Sequence, residues 1–565
     1  MAKIYPHIIP NPEDWPINQF GASRDQFIEE LNEYTLNRIL FKHKDDIESL
    51  LEKSLYLEKQ RAKTNPWKVD PSDDKTYWSS LNKEVKEASK RPDKADLHLA
   101  ILKRIINRYS EEIVGHFNPK TYRFAKRFLT VFFKRLLNTA AGRKHRRFWG
   151  NKHQLYERLK VEGYVDEARA LFNKGTVVIV PTHFSNLDSI MIGYIVDNIT
   201  GMPPFSFGAG LNLYDTELIG YFLNRLGAYR VDRRKKNPVY LESLKAMASH
   251  SLQKGINNIF FPGGTRSRDG SLESRLKLGL LGSVVESQRI FVEKGEGEKI
   301  FVIPLILGYH YVLEGKFLIE QYLRRSGKER YTRTRDQAKS YTKIFKFIWS
   351  LFKEKSDITL AFGEPMDVFG NRVDSNGDSR DKYGNLIDMK DYFLMDGDVQ
   401  ANMQRETVYT KLLGERIVES YQRNNVLLSS HLVSFIGFRC LMNFYEEEDV
   451  YQVFRMPREE FFVTMKYFRN VIEQAVKVVK EWEADGKIRL SEAISFETDD
   501  LIKDGLSHLG QYHLEKPLKK DKKGDLVSQN FKLLYFYHNR TTNYNLEKFI
   551  DWPEMEKATV EPVNI

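Results

Sequence analysis

The sequence predicts an α/β protein, with a central domain of alternating strands and helices flanked by helical N- and C-terminal regions. Three observations lead there. Residues 171 to about 370 carry short apolar runs separated by amphipathic stretches and glycine-containing turns. Residues 1–170 and 391–565 instead place apolar residues mostly at three- and four-residue spacing. A polar loop over 371–390 divides the middle of the chain from its end. The 565 residues, 41% hydrophobic and 29% charged, describe a globular chain with a sizeable core rather than a disordered one.

In the first region, Asp25 to Glu58 reads as packed helix through Phe27, Leu31, Leu36, Ile39 and Leu40. Arg61 to Lys94 is polar, contains Pro66, Pro71 and Pro92, and reads as a surface excursion. After it, no acidic residue occurs between Glu112 and Glu157. That gap runs from Lys120, Arg123, Lys126 and Arg127 to Arg147, interleaved with aromatic residues from Tyr122, Phe124 and Phe128 to Trp149. A basic helix with an aromatic face suits an anionic membrane surface, where each basic residue adds about 1 kcal/mol. The same pattern also fits a helix packed on its neighbour with solvated charges.

The central elements follow in order. Thr176 to Val180 is a buried type of strand, and a helix runs from Ser189. Tyr229 to Val231 is a short strand, and Pro238 to Lys254 a helix with Gly255 where a C-cap glycine is expected. Ile256 to Phe261, Ile300 to Leu307 and Ile358 to Phe362 are further strands. In Gly370 to Asp391, Asp374, Asn376 and Asp378 are spaced as in a calcium loop. Ser379 and Asn385 stand where glycine and glutamate are needed, so the segment reads as a solvated turn. Beyond Asp391, Phe461 to Asp485 is an amphipathic helix and Lys516 to Asp525 a charged turn.

Charge and composition narrow the partners. A net charge of +11 and a pI near 9.1 favour an anionic partner. No nucleic-acid-binding motif is recognisable, so nucleic acid is not expected. Cys440 is the single cysteine, which excludes an intrachain disulfide and a Cys-based metal site. The start MAKIYPHIIPNPEDW lacks the pattern of a signal peptide, and the most apolar stretch, Val426 to Phe444, is interrupted by His431 and Arg439. The expected location is therefore peripheral, on the cytoplasmic face of a membrane, without a plain transmembrane helix.

Two stretches carry the chemistry. In His183-Phe-Ser-Asn-Leu-Asp188, five positions on one helix would turn the two side chains about 140° apart. They meet only if His183 sits in a loop before the helix. A strand ending at Val180, Pro181, and a cap at Ser185 or Asn186 would allow this. Asp188 then falls in the first helical turn and can orient the imidazole and stabilise its cation, as the carboxylate of a Ser-His-Asp triad does.

The second stretch is Phe261-Pro-Gly-Gly-Thr-Arg-Ser-Arg268, following a strand. Arg266 and Arg268 suit bidentate contacts to phosphate, and Gly263 and Gly264 allow close backbone approach. Lys277, at the start of the next helix, is another anion-friendly place, and Thr265 and Ser267 are further candidate contacts. Leu226-Gly-Ala-Tyr-Arg-Val-Asp-Arg-Arg234 sets Arg233 just past a strand, with Arg230 and Arg234 near it. Val302-Ile-Pro-Leu-Ile-Leu-Gly-Tyr-His310 holds Pro304 inside a strand, which implies an edge or a ligand-facing irregularity.

In this order and spacing, the four blocks resemble those of the glycerolipid acyltransferase family, and within it the large glycerol-3-phosphate acyltransferases. Glu314, Phe362-Gly-Glu-Pro365 and Leu533-Leu-Tyr-Phe-Tyr-His-Asn-Arg540 are similar to stretches of those large enzymes. The resemblance is strong over about 175–365. It implies a mixed sheet, and transfer of a fatty acyl group from acyl-CoA or acyl-ACP to the sn-1 hydroxyl of glycerol 3-phosphate. His183 would be the general base, and Arg233, Arg266 and Arg268 the phosphate ligands, with no cofactor and no metal. The alternatives are lysophosphatidate as acceptor, or a catalytically silent acyl- or lipid-binding scaffold. One departure stands out: Gly263 occupies the position of a family glutamate. Asp269 or Glu273, or the Gly263-Gly264 backbone, would have to supply what that carboxylate does.

Overall fold

The structure, a computed structural model, describes residues 3–43, 46–140, 159–215, 217–325, 358–445, 448–510 and 513–554. Its centre is a seven-stranded sheet. The strands are β1 (Leu159–Gly163), β2 (Gly175–Pro181), β3 (Ser206–Gly210), β4 (Ala228–Val231), β5 (Asn258–Ile259), β6 (Lys299–Tyr309) and β7 (Ile358–Phe362), in the order β1-β7-β6-β2-β5-β3-β4. From β6 to β4 all neighbours are parallel, whereas β7 runs antiparallel to β6, so the sheet is mixed.

The apolar run of β2 follows from its place in the middle of the sheet, where both faces are covered. Val177 and Ile179 pack in a cluster with Met191 and Ile192 of the following helix. Val178 and Val180 alternate to a second cluster with Leu281, Val284, Leu413 and Ile417. Parallel strands point their carboxyl ends the same way, so the turns after β2, β4, β5 and β6 gather at one edge of the sheet. That edge is where open α/β sheets present ligand sites. The turns carry His183, Arg233, the 261–268 stretch and Glu314 respectively.

Several expectations need correction. Arg61 to Lys94 is not a surface excursion. Helix Asp74–Ala88 buries Trp78, Leu81 and Val85 in the N-terminal core, and Arg61 is enclosed by Glu58, Asp70 and Asp74. Arg61, Asp70 and Asp74 are paired internally, while Lys75, Lys83, Lys86 and Glu87 are exposed on the outer face of a helix whose apolar face is buried. The packed helices expected over Asp25 to Glu58 are Arg24–His43 and Ile47–Thr64. β1, at 159–163, already belongs to the sheet ahead of the expected 171 start. The strand expected over Ile256 to Phe261 is only Asn258–Ile259.

Pro304 lies in a central strand, not at an edge. β6 is paired with β2 on one side throughout this stretch, while on the other side β7 pairing begins at Leu305 and Gly363 donates to the Pro304 carbonyl at 2.8 Å. The missing proline N–H therefore falls where β7 departs. The polar 371–390 segment forms short hairpin pairs, with Asp374 accepting from the Asn376 and Asp378 amides and pairing with Arg380 at 2.8 Å.

Candidate active site

β2 ends at Pro181, and helix Asp188–Asn198 begins at Asp188, so His183 lies in the intervening loop as the spacing required. The imidazole Nδ1 and Asp188 Oδ2 are 2.7 Å apart. Asp188 is fully buried. Its Oδ2 also accepts the amides of Phe184 at 2.7 Å and Ser185 at 2.9 Å, and Oδ1 accepts the Tyr309 hydroxyl at 2.9 Å. A carboxylate filled in this way has one orientation, and it holds the imidazole in one as well. The His183 ring lies against Phe261, with centroids 4.2 Å apart, and its side chain is 18% exposed. With Nδ1 committed to Asp188, Nε2 is the nitrogen left for a ligand.

The cap differs from expectation. Leu187 precedes the helix and makes no side-chain cap. The Ser185 hydroxyl instead accepts the Leu187 amide at 3.2 Å and donates to Glu314 at 3.0 Å. Asn186 adds its backbone N–H to the same Glu314 carboxylate at 3.0 Å.

The arginine loop is tied directly to the histidine loop. The Ser267 amide donates to the His183 carbonyl at 2.8 Å, and Arg266 pairs with Glu314 at 3.1 Å. Glu314, buried after the end of β6, thus bridges the two loops. Gly264 has a φ of +72°, and a Cβ there would lie 2.5 Å from Lys277 Cδ, so the glycine lets the Lys277 chain cross the turn. The Lys277 amide closes the turn on the Pro262 carbonyl at 2.7 Å. Gly263, Thr265, Arg266, Ser267 and Arg268 line a cleft of about 490 Å³ together with Glu273. Arg268 donates to Gln321 at 3.1 Å, and the Ser267 hydroxyl is used inside the turn, on Asp269 and the Ser271 carbonyl.

Of Arg230, Arg233 and Arg234, Arg233 is the most exposed. Arg234 is held by Asp70 and Asp232, and Arg230 stacks on Tyr214 at 4.6 Å. Arg233 is exposed, and burial of its flank together with the Arg266 cation lowers its pKa. Two guanidiniums repelling across a gap form a site that an anion would relieve. Pro304 stands apart from this group, buried in the sheet against Gly363.

Two contributors were not assigned a role from the sequence. Tyr309 closes the shell around Asp188, although the block that contains it was recognised. Arg540, from the C-terminal region, lies over the Phe184 ring at 3.8 Å and donates to the Leu307 carbonyl. Burial pushes its pKa down to about 10, against the pull of Glu273, Tyr544, Asp188 and Tyr309. The one signal for it was its place at the end of the Leu533–Arg540 run.

The basic aromatic segment is a helix over Pro119–Ala140. Tyr122 and Lys126 bind Asp197, at the far end of the helix that begins with Asp188, at 3.0 and 2.7 Å. Arg123, Phe124, Arg127, Phe128 and Val131 form an exposed stripe. Arg143, Lys144, Arg146, Arg147, Phe148 and Trp149 of the same segment lie outside the described residues. Among the described residues, no helix is long and apolar enough to cross a membrane.

Residues 158–308 match the model of the acyltransferase family. The chain is 29% identical over 224 residues to a glycerol-3-phosphate acyltransferase of Pseudomonas putida (strain W619), covering 40% of this chain and 25% of that protein. It is 27% identical over 262 residues to one from Ectopseudomonas mendocina (strain ymp), covering 46% and 27%. A third, from Pseudomonas entomophila (strain L48), is 29% identical over 224 residues, covering 40% and 25%. The matched part of the chain thus spans about a quarter of the length of these curated relatives.

Proposed function

We propose, from the premise that residues 158–308 belong to the acyltransferase family, that this protein moves a fatty acyl group from a thioester to the primary hydroxyl of glycerol 3-phosphate. The observation that carries this reading is the 2.8 Å backbone bond joining the His183 loop to the arginine loop. It ties the loop of an imidazole oriented by a carboxylate to the loop of two guanidiniums suited to phosphate, which supports the reading. In this mechanism His183 Nε2 accepts the proton of the sn-1 hydroxyl as its oxygen attacks the thioester carbonyl. Asp188 stabilises the imidazolium. The tetrahedral intermediate collapses, the C–S bond breaks, and the thiolate of coenzyme A or acyl carrier protein takes the proton back from His183.

Arg233, Arg266 and Arg268 hold the acceptor phosphate, with Arg266 kept in place by Glu314. The exposed stripe of helix Pro119–Ala140 rests the protein on an anionic membrane, where the acylated product partitions. The stripe is joined by exposed Leu218 and Tyr221 and by Phe222, stacked on Phe124 at 6.3 Å.

The test offers one acyl thioester to the purified protein with glycerol 3-phosphate or with lysophosphatidate. Product from glycerol 3-phosphate is expected, and product from lysophosphatidate alone would reject the acceptor. His183→Ala should lower turnover by about 10²–10⁴-fold.

A further inference from the structure

We propose that Glu273 is the carboxylate that receives a free hydroxyl of the acceptor, in the space that Gly263 leaves open. The proposal rests on the preceding reading of a phosphorylated alcohol as acceptor. Glu273 lies beyond the 263–268 stretch, yet its side chain folds back onto it. Oε1 accepts the His183 amide at 2.8 Å, so the carboxylate is directly bonded to the residue that carries the base. A Cβ on Gly263 would sit 3.0 Å from Glu273 Cγ and 3.3 Å from Oε1. A side chain at 263 and the Glu273 carboxylate therefore claim the same volume.

The neighbouring carboxylates are already engaged. Asp188 is filled by His183, Tyr309 and two amides. Glu314 is filled by Arg266, Ser185 and Asn186. Asp269 serves its own turn through Ser267 and Ser271. Of these four carboxylates, Glu273 keeps a buried oxygen, Oε2, with no partner among the described residues. A buried acceptor without a donor is costly, and a ligand hydroxyl would relieve it.

Glu273 also lines the cleft with Arg266 and Arg268. Cations for a phosphate and an acceptor for a hydroxyl in one cleft describe a polyol phosphate better than a simple alkyl phosphate. Burial raises the carboxyl pKa to about 7, against the His183 amide, its own amide and the Arg540 and His183 charges. A donated hydroxyl bond would favour the ionised form.

Calorimetry with glycerol 3-phosphate and with ethyl phosphate, which lacks the extra hydroxyls, tests the assignment. Wild type is expected to prefer glycerol 3-phosphate by about tenfold or more, the scale of one hydrogen bond to a charged group. Glu273→Gln should shrink that preference to about twofold and leave ethyl phosphate binding unchanged. The pair Gly263→Glu with Glu273→Ala, which moves the carboxylate across the shared volume, should restore it.

A folded Glu273→Gln protein that keeps the preference overturns the proposal. If that variant does not fold, absence of preference in the relocated pair overturns it instead. Wild type binding both compounds equally removes the role of Glu273 alone, whereas wild type binding neither also removes the phosphate reading beneath it.

Discussion

The two helical regions that flank the sheet attach to it in different ways. The N-terminal bundle docks through a core separate from that of the sheet interior, in which Phe27, Leu31 and Ile105 pack with Val239, Tyr240 and Met247, and through buried charge around it. Arg61 is enclosed by Glu58, Asp70 and Asp74, and Arg234 of the central domain reaches across to Asp70. Lys235 meets Glu112, Asn237 meets Glu58, and Arg38 meets Glu242 and Glu286. The C-terminal region docks through shared core and through the active-site loops. Leu432, Phe435, Leu534 and Tyr537 belong to the same cluster as β2 and β6. His431 bonds the Tyr309 carbonyl, Tyr537 accepts the Val312 amide, and Asn539 donates to the Asp269 carbonyl. Arg540 then packs on Phe184, beside His183. The N-terminal region thus anchors the base of one arginine turn, while the C-terminal region forms part of the wall behind His183 and Asp188.

That contrast can be broken experimentally. Arg540→Met should have the largest effect, because it removes a buried cation facing Glu273 and Asp188. A loss of about 1–3 kcal/mol in stability, for the donor withdrawn from the buried Leu307 carbonyl, is expected by chemical denaturation, together with a fall in turnover of the protein that remains folded. Arg234→Ala should cost a comparable or smaller amount, since Asp70 keeps Arg61 but Asp232 loses its partner. Its folded fraction should retain kcat within about twofold. If the two variants exchange these outcomes, the assignment of roles to the flanks is reversed.

A smaller effect concerns pH. The Glu273 pKa is raised from 4.5 to about 7, so the folded state holds a proton that the unfolded state releases. The associated stability is fully present below pH about 4.5 and is lost as pH rises through about 7, at most about 3 kcal/mol. His183, Arg540 and Tyr421 are the titratable or charged groups coupled to it. Denaturation of wild type and Glu273→Gln from pH 4 to 8 should show this slope in wild type alone. A parallel pair of curves would remove it. The smallest effect sharpens the picture of the N-terminal side. Arg127→Glu should weaken sedimentation with anionic vesicles by roughly 1–2 kcal/mol, and leave binding to neutral vesicles nearly unchanged.

Much of the central domain was legible because periodicity there reports burial directly. β7 and the helix from Asp188 fell where their apolar runs placed them, and the loop position of His183 followed from the geometry of a five-residue spacing. The reading failed where polar residues were not facing solvent. The Asp74–Ala88 helix looked exposed because Lys75, Lys83, Lys86 and Glu87 are on its solvent face, while Asp74 is held by Arg61 and Arg108 from elsewhere in the chain. Pro304 looked like an edge residue because nothing local shows where a neighbouring strand departs.

By itself, the sequence determined the residue types of the site, their order, and the helix and strand periods that bring each block to a strand end. Those properties depend on local geometry and on the apolar pattern. Only the tertiary structure decided which arginine of the Arg230–Arg234 group faces outward, which acid stands by Gly263, and that Arg540 belongs to the site. These are contacts between residues from about 10 to more than 300 positions apart, set by how the elements pack, and no local period records such a choice.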